Sequence, residues 1–260
     1  MTDRDRELAQ VSNPLLYMST VAWILLLAGP GTLQHCPVAP LGTVSWRASF
    51  LMLVNMAPPA SLATSWALML VAMMSPALIP PIRHVWLQSF QHRRIRSIGL
   101  FVFGYSAIWL IVGALLLTVE LAVAVFARQW YLWVAGALTA LLWQLSPIKQ
   151  HCLNRGRAHT PLAAFGLAAD RDALGFGVRH GIWCVGSCWA LMMFPMLLPS
   201  GHVVAMAAVA VLVFGERLEQ PRPPRWRWRG LGKAIRIVVA QARIRLSAYR
   251  LASAAISSGT

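Results

Sequence analysis

The chain has 260 residues, 58% of them apolar and 12% charged, with a mean hydropathy of +0.59. Soluble domains carry about 25% charged residues, so this composition excludes an ordinary soluble globule and predicts one integral membrane domain. A net charge of +15 would suit a nucleic-acid binder, but the cations lie between apolar segments and in the C-terminal tail, with no recognisable nucleic-acid-binding fold around them.

A membrane-crossing helix needs about 20 consecutive apolar residues. That length places six spans in chain order. They cover roughly Pro14–Thr32, Ser61–Ile82, Ile98–Ala127, Tyr131–Ile148, Gly181 to just before Pro199, and His202 to about Phe214. Glu120 blurs the outer end of the third, and the sixth is short enough to tilt or to extend to Arg217. The expected fold is all-α: a polytopic membrane helix bundle over residues 1–218, followed by a basic tail over 219–260.

Orientation follows from the loop cations. Of the 23 Lys and Arg, 21 fall on one side of the six-span arrangement and only Arg47 and Arg128 on the other. Both termini are therefore expected in the cytoplasm, with the protein in the inner membrane. Arg4 and Arg6 ahead of an apolar stretch also fit a cleaved signal peptide, which would leave the later spans oriented as before.

In the tail, Lys233, Arg236, Arg243, Arg245 and Arg250 interrupt Ile235, Ile237, Val238, Val239, Ile244, Leu246 and Leu251. So many cations argue against a seventh span. They predict a basic interfacial C-terminal helix on the anionic cytoplasmic leaflet, with Trp226 and Trp228 at headgroup depth.

The fifth segment carries a pattern with chemical content. His180, Cys184, Cys188, Met192 and Met196 recur every four residues. Positions four apart on an α-helix stack on one face, drifting about 40° per step. Imidazole, thiol and thioether side chains thus form one stripe, and those donors suit a soft ion such as Cu(I). Four cysteines are too few and too scattered for a disulfide framework, and no zinc-finger spacing occurs.

At a rise of about 1.5 Å per residue, Cys184 lies about 6 Å deeper than His180, and Cys188 lies near mid-membrane. The fourth segment ends inward at QLSPIKQHC, bringing His151 and Cys152 toward His180. The second segment centres near Ala72, placing Met73 and Met74 at the depth of Cys188. Two levels result: an inner mouth of His151, Cys152, His180 and Cys184, and a mid-membrane level of Met73, Met74, Cys188 and Met192. Cys184 and Met192 are about 12 Å apart along the axis, too far for one ion, so successive stations are expected.

Quieter roles exist for all of these. Met and free Cys fill cores, and Gly181, Gly186, Ser187 and Ala190 would let helices approach closely. His84 and His92 fall in a basic loop and are expected to be solvated. Gln144, polar at depth, predicts an interhelical hydrogen bond or a cavity lining. Pro76, Pro80 and Pro81 should break the inner end of the second segment and favour a pocket beside Met73 and Met74.

Several stretches together resemble a bacterial family of metal-binding integral membrane proteins often labelled copper chaperones. They are Trp66 with AMMSPALIP, FVFGYSAIW, QLSPIKQHCL, RHGIWCVGSCWALMM, and Met206 with Glu216-Arg217, over about residues 60–218. Cys152, Cys184, Cys188, Met73 and Met74 stand at matching positions. The chain departs from the pattern at Gly156 and Ser187, where the family has further cysteines, and at His202, where it has Asn.

The function expected is to bind and hand on a soft metal ion, most simply copper, or to assist assembly of a copper protein. The expected partners are the lipid bilayer and a copper-dependent protein or other membrane subunit, with no nucleic acid. A structural subunit whose sulfur side chains only pack helices, and a permease for another small solute near Gln144, are the competing readings. No paired acid and base lies within the spans and no nucleotide-binding loop is present, so the chain is not expected to be an enzyme.

Overall fold

The computed structural model describes residues 3–28, 59–126, 129–158, 160–198 and 201–227, together with Arg236, Ala240 and Arg243. The described residues form helices and connecting turns, without a strand. In chain order the helices are α1 (Asp3–Ala28), α2 (Pro59–Met74), α3 (Ile79–Gln88), α4 (Arg94–Phe126), α5 (Gln129–Leu145), α6 (Pro147–Gly156), α7 (Gly166–Leu197) and α8 (His202–Leu218). Short 3₁₀ turns at Ser75–Leu78 and Gln91–Arg93 lead into α3 and α4.

The all-α bundle expected from the sequence is what forms, and all six predicted segments fall on helices. Four stretches are long and apolar enough to cross a membrane: Gln10–Ala28, Ala63–Gln88, Gln91–Val119 and Gly166–Leu197. A fifth arises if α5 and α6, bent by 65° at Ser146, count as one broken span. The sixth predicted segment is α8, whose 17 residues fall just short of that length.

Helix α7 is the hub, packing against α4, α5, α6 and α8. It starts 15 residues before the Gly181 boundary read from the sequence: Asp170, Arg171, Asp172 and Arg179 make Gly166–Arg179 read as a loop, yet it is continuous helix. Its tightest neighbour is α4. A Cβ at Gly177 would stand 2.2 Å from the Phe101 carbonyl oxygen, and one at Gly181 would stand 3.3 Å from that of Tyr105. Only a residue without a side chain permits this approach, the packing mode typical of membrane helices. The two helices run in the same direction, and Asp170 ties their starts together by accepting from Arg93 and Arg96, each at 2.6 Å.

Proline sets the shape of the second segment. Pro76 is the second residue of the 3₁₀ turn that ends α2, and Pro80 falls in the first turn of α3, where its missing N–H disrupts no helical bond. Ser19 of α1 donates to the Ala72 carbonyl at 2.7 Å, pinning α1 to α2. The bend between α5 and α6 has a similar local cause. Ser146 caps α6 by accepting from the Ile148 amide at 3.1 Å, and Pro147 follows at the first helical position. The start of the tail folds back on this bend, Asn154 donating to the Arg222 carbonyl at 2.7 Å and the Arg227 amide to that of Leu145 at 3.3 Å. Of the expected tail helix, Arg236, Ala240 and Arg243 are helical. Its remainder lies outside the described residues.

Candidate functional site

A cleft of about 120 Å³ opens where α6, α7 and α8 meet the proline-broken turn. Cys152, His180 and Cys184 all line it, together with Arg157, Arg217, Trp183, Pro76, Pro80 and Pro81. Three of the four residues expected at the inner mouth therefore share one cavity.

Each is placed by a local feature. The bend at Ser146 turns α6 back onto α7, and Gly186 lets Cys152 press in, its Sγ only 2.7 Å from where a Cβ would stand. His180 is buried and ringed by Phe101, Tyr105 and Phe176, at centroid distances of 5.9, 6.0 and 6.0 Å. Cys184, buried one turn further along α7, has the Tyr105 hydroxyl at 3.3 Å and receives a hydrogen bond from Arg217 Nη2 at 2.9 Å. The Cys188 thiol turns back to donate to the Cys184 carbonyl at 3.0 Å.

His151 is not part of this cleft. It is exposed, edge-on to the Trp183 ring at 5.9 Å. Consecutive helical residues point about 100° apart, so a helix that turns Cys152 inward turns His151 out. The predicted pocket also shifts. The prolines do line a cavity, but Met73 and Met74 do not. Both are buried in the main apolar core with Cys188, Met192, Met196 and Met206. The second expected level thus forms a sulfur-rich core rather than an open station. His84, expected in solvent, belongs to α3, where its Nε2 lies 2.9 Å from the Thr160 carbonyl oxygen.

Among the described residues, no three His, Cys, Asp or Glu side chains stand close enough to hold one ion. The cleft therefore offers soft donors without a closed cage. Two thiols and an imidazole match Cu(I) chemistry, and an incomplete shell leaves positions for ligands from elsewhere.

Beside the cleft lies a network that sequence reasoning missed. Lys149 and Glu216 form an ion pair at 2.8 Å, with side chains 0% and 3% exposed. Gln144 bridges them, donating to Glu216 and accepting from Lys149. Gln144 thus makes the interhelical bond expected of it. Glu216 and Arg217 are adjacent, so one turns toward Lys149 while the other reaches Cys184. Arg157 braces this strand of contacts by donating to the Glu216 carbonyl at 2.9 Å. Burial, then the neighbouring charge of Arg217, lowers the Arg157 guanidinium from its usual pKa, with Glu219 opposing. The sequence signal for Arg217 was its pairing with Glu216 in the family pattern; as a bare cation it read as a topology mark.

No curated protein and no solved structure matches the chain. The family described as copper chaperone (PpoB2) matches residues 63–240, a span containing every helix that lines the cleft, and the chain belongs to that family.

Proposed function

We propose that the protein is a membrane-embedded copper chaperone that takes up Cu(I) at the inner cleft and passes it on. The observation that carries this reading is the convergence of Cys152, His180 and Cys184 on one cavity from two helices. Buried soft donors in an open, incomplete shell favour an ion that must leave again. The side chains on the outside of the bundle support the membrane setting: Tyr17, Leu27, Phe103 and Val204 are 74%, 68%, 68% and 74% exposed. Large apolar groups at that exposure need lipid or a partner around them. The recipient is a copper-dependent protein or another membrane subunit.

The test compares wild-type protein in detergent with the Cys184→Ser/Cys188→Ser double variant, titrating Cu(I) against a chromophoric chelator. Ser is nearly isosteric with Cys but presents a hard oxygen, poorly matched to Cu(I). Copper binding should be lost while the protein stays folded. Unchanged copper stoichiometry would reject Cys184 and Cys188 as ligands and favour a structural subunit whose sulfur atoms only pack.

A further inference from the structure

The electrostatics of the cleft are at odds with a bare cation as its visitor. Two guanidinium groups line it, Arg157 and Arg217, and no carboxylate does. Glu216 and Glu219, on the same stretch of chain, are ion-paired with Lys149 and Arg222 at 2.8 and 2.9 Å. Arg157 Nη1 and Arg217 Nε are buried and donate to nothing among the described residues. Such orphaned donors are costly unless something accepts from them. A cavity with two cations, spare N–H groups and a thiol at its wall fits a small anion that carries soft-metal chemistry.

Resting on the copper reading above, we infer that the cleft receives Cu(I) as an anionic complex with small thiolates rather than as a free ion. Two thiolates on Cu(I) leave one net negative charge, which the guanidinium groups of Arg157 and Arg217 match. Charge-assisted hydrogen bonds from guanidinium are the strong class. Arg217, already 2.9 Å from Cys184 Sγ, holds the complex beside the acceptor thiol. In the exchange, the bond from copper to one carrier sulfur breaks and a bond to Cys184 Sγ forms. The Cys184 proton leaves on the departing carrier as a thiol, and copper stays Cu(I). The product is again an anionic dithiolate, so the same guanidinium groups stabilise both ends of the step.

The experiment offers the full-length protein in detergent two copper sources: Cu(I) in excess glutathione, which is anionic, and the cationic Cu(I)–acetonitrile complex. Protein-bound copper after desalting is the readout. Wild type should load from both. The Arg157→Gln/Arg217→Gln variant should need about tenfold more of the glutathione complex for half-loading, the effect of losing about one charge-assisted hydrogen bond. Loading from the cationic acetonitrile complex should not fall in parallel, since the guanidinium groups repel that source rather than hold it. Arg157→Lys/Arg217→Lys keeps the charge and should recover most of the glutathione-dependent loading. Equal losses from both sources would mean that the arginines only shape the cavity, and would overturn the inference; so would glutathione loading that ignores both substitutions. Wild type that loads from acetonitrile alone would sink the anionic carrier and leave the copper reading standing. No loading from either source would sink both.

Discussion

At the scale of single residues, the most consequential contact is the ion pair between Lys149 and Glu216. Both side chains are out of water, where each charge carries a desolvation cost of several kcal/mol that only good pairing offsets. Gln144 supplies the additional hydrogen bonds such a pair needs. Replacing Glu216 by Gln leaves the ammonium uncompensated and should cost about 3–5 kcal/mol, whereas an apolar pair in the same space should recover much of that loss. The expected order of thermal stability in detergent is therefore wild type, then Lys149→Met/Glu216→Leu, then Glu216→Gln lowest. A Glu216→Gln melting temperature equal to wild type would show that water reaches the pair. Met73 poses the opposite case. It is buried but lies outside the cleft, so Met73→Leu, a volume-conserving change costing less than about 1.5 kcal/mol, should leave Cu(I) affinity where it was. A drop in affinity measured by chelator competition would restore Met73 as a ligand and the deeper station with it.

Among the helices, the seam between α4 and α7 decides where the site residues stand, since it presents both Tyr105 and His180 to the same region. The seam depends on Gly177, where an added Cβ would overlap the Phe101 carbonyl. Gly175, on the same helix, has open space around it. Gly177→Leu should therefore lower thermal stability and loosen the cleft, while Gly175→Ala should be neutral or slightly favourable through helix propensity. If both variants melted alike, the close approach would not be what holds the pair together. The helices were legible in the sequence because apolar length is a direct physical requirement of crossing a bilayer. The extension of α7 back to Gly166 was not, because its stability comes from packing on α4 and from Asp170 rather than from hydropathy. Depth alone grouped Cys152, His180 and Cys184, which line one cavity, as rise per residue is fixed. It failed for His151, where rotation about the helix axis mattered, and for Met73 and Met74, where depth said nothing about which face meets the cavity. Arg157, Arg217 and the Lys149–Glu216 pair escaped notice for a shared reason: cations near a span end satisfy the charge rule for topology whether they are solvated or buried.

For the molecule as a whole, direction in the membrane ties fold to function, because a cleft that exchanges copper with the cytoplasm must open on that side. The cations bear on that direction, and the packing on which helices share it. The cations divide 21 to 2, and on that ground we propose that the starts of α4 and α7 face the cytoplasm. The packing adds that α4 and α7 share a direction, side by side and joined at their starts through Asp170, so both enter from one face, whichever face that is. On that proposal the cleft lies at the cytoplasmic end, where α6 and α8 finish and Arg157 and Arg217 line it. A phosphatase reporter active only outside the inner membrane should be silent when fused after Thr260 and active when inserted beside Arg128, between α4 and α5. The converse pattern should hold for a fluorescent reporter that matures only in the cytoplasm. Phosphatase activity at Thr260 would mean an odd number of crossings between a cytoplasmic N-terminus and the tail. Silence at Arg128 would mean that α4 does not cross, and the cleft would then have no defined side from which to receive copper.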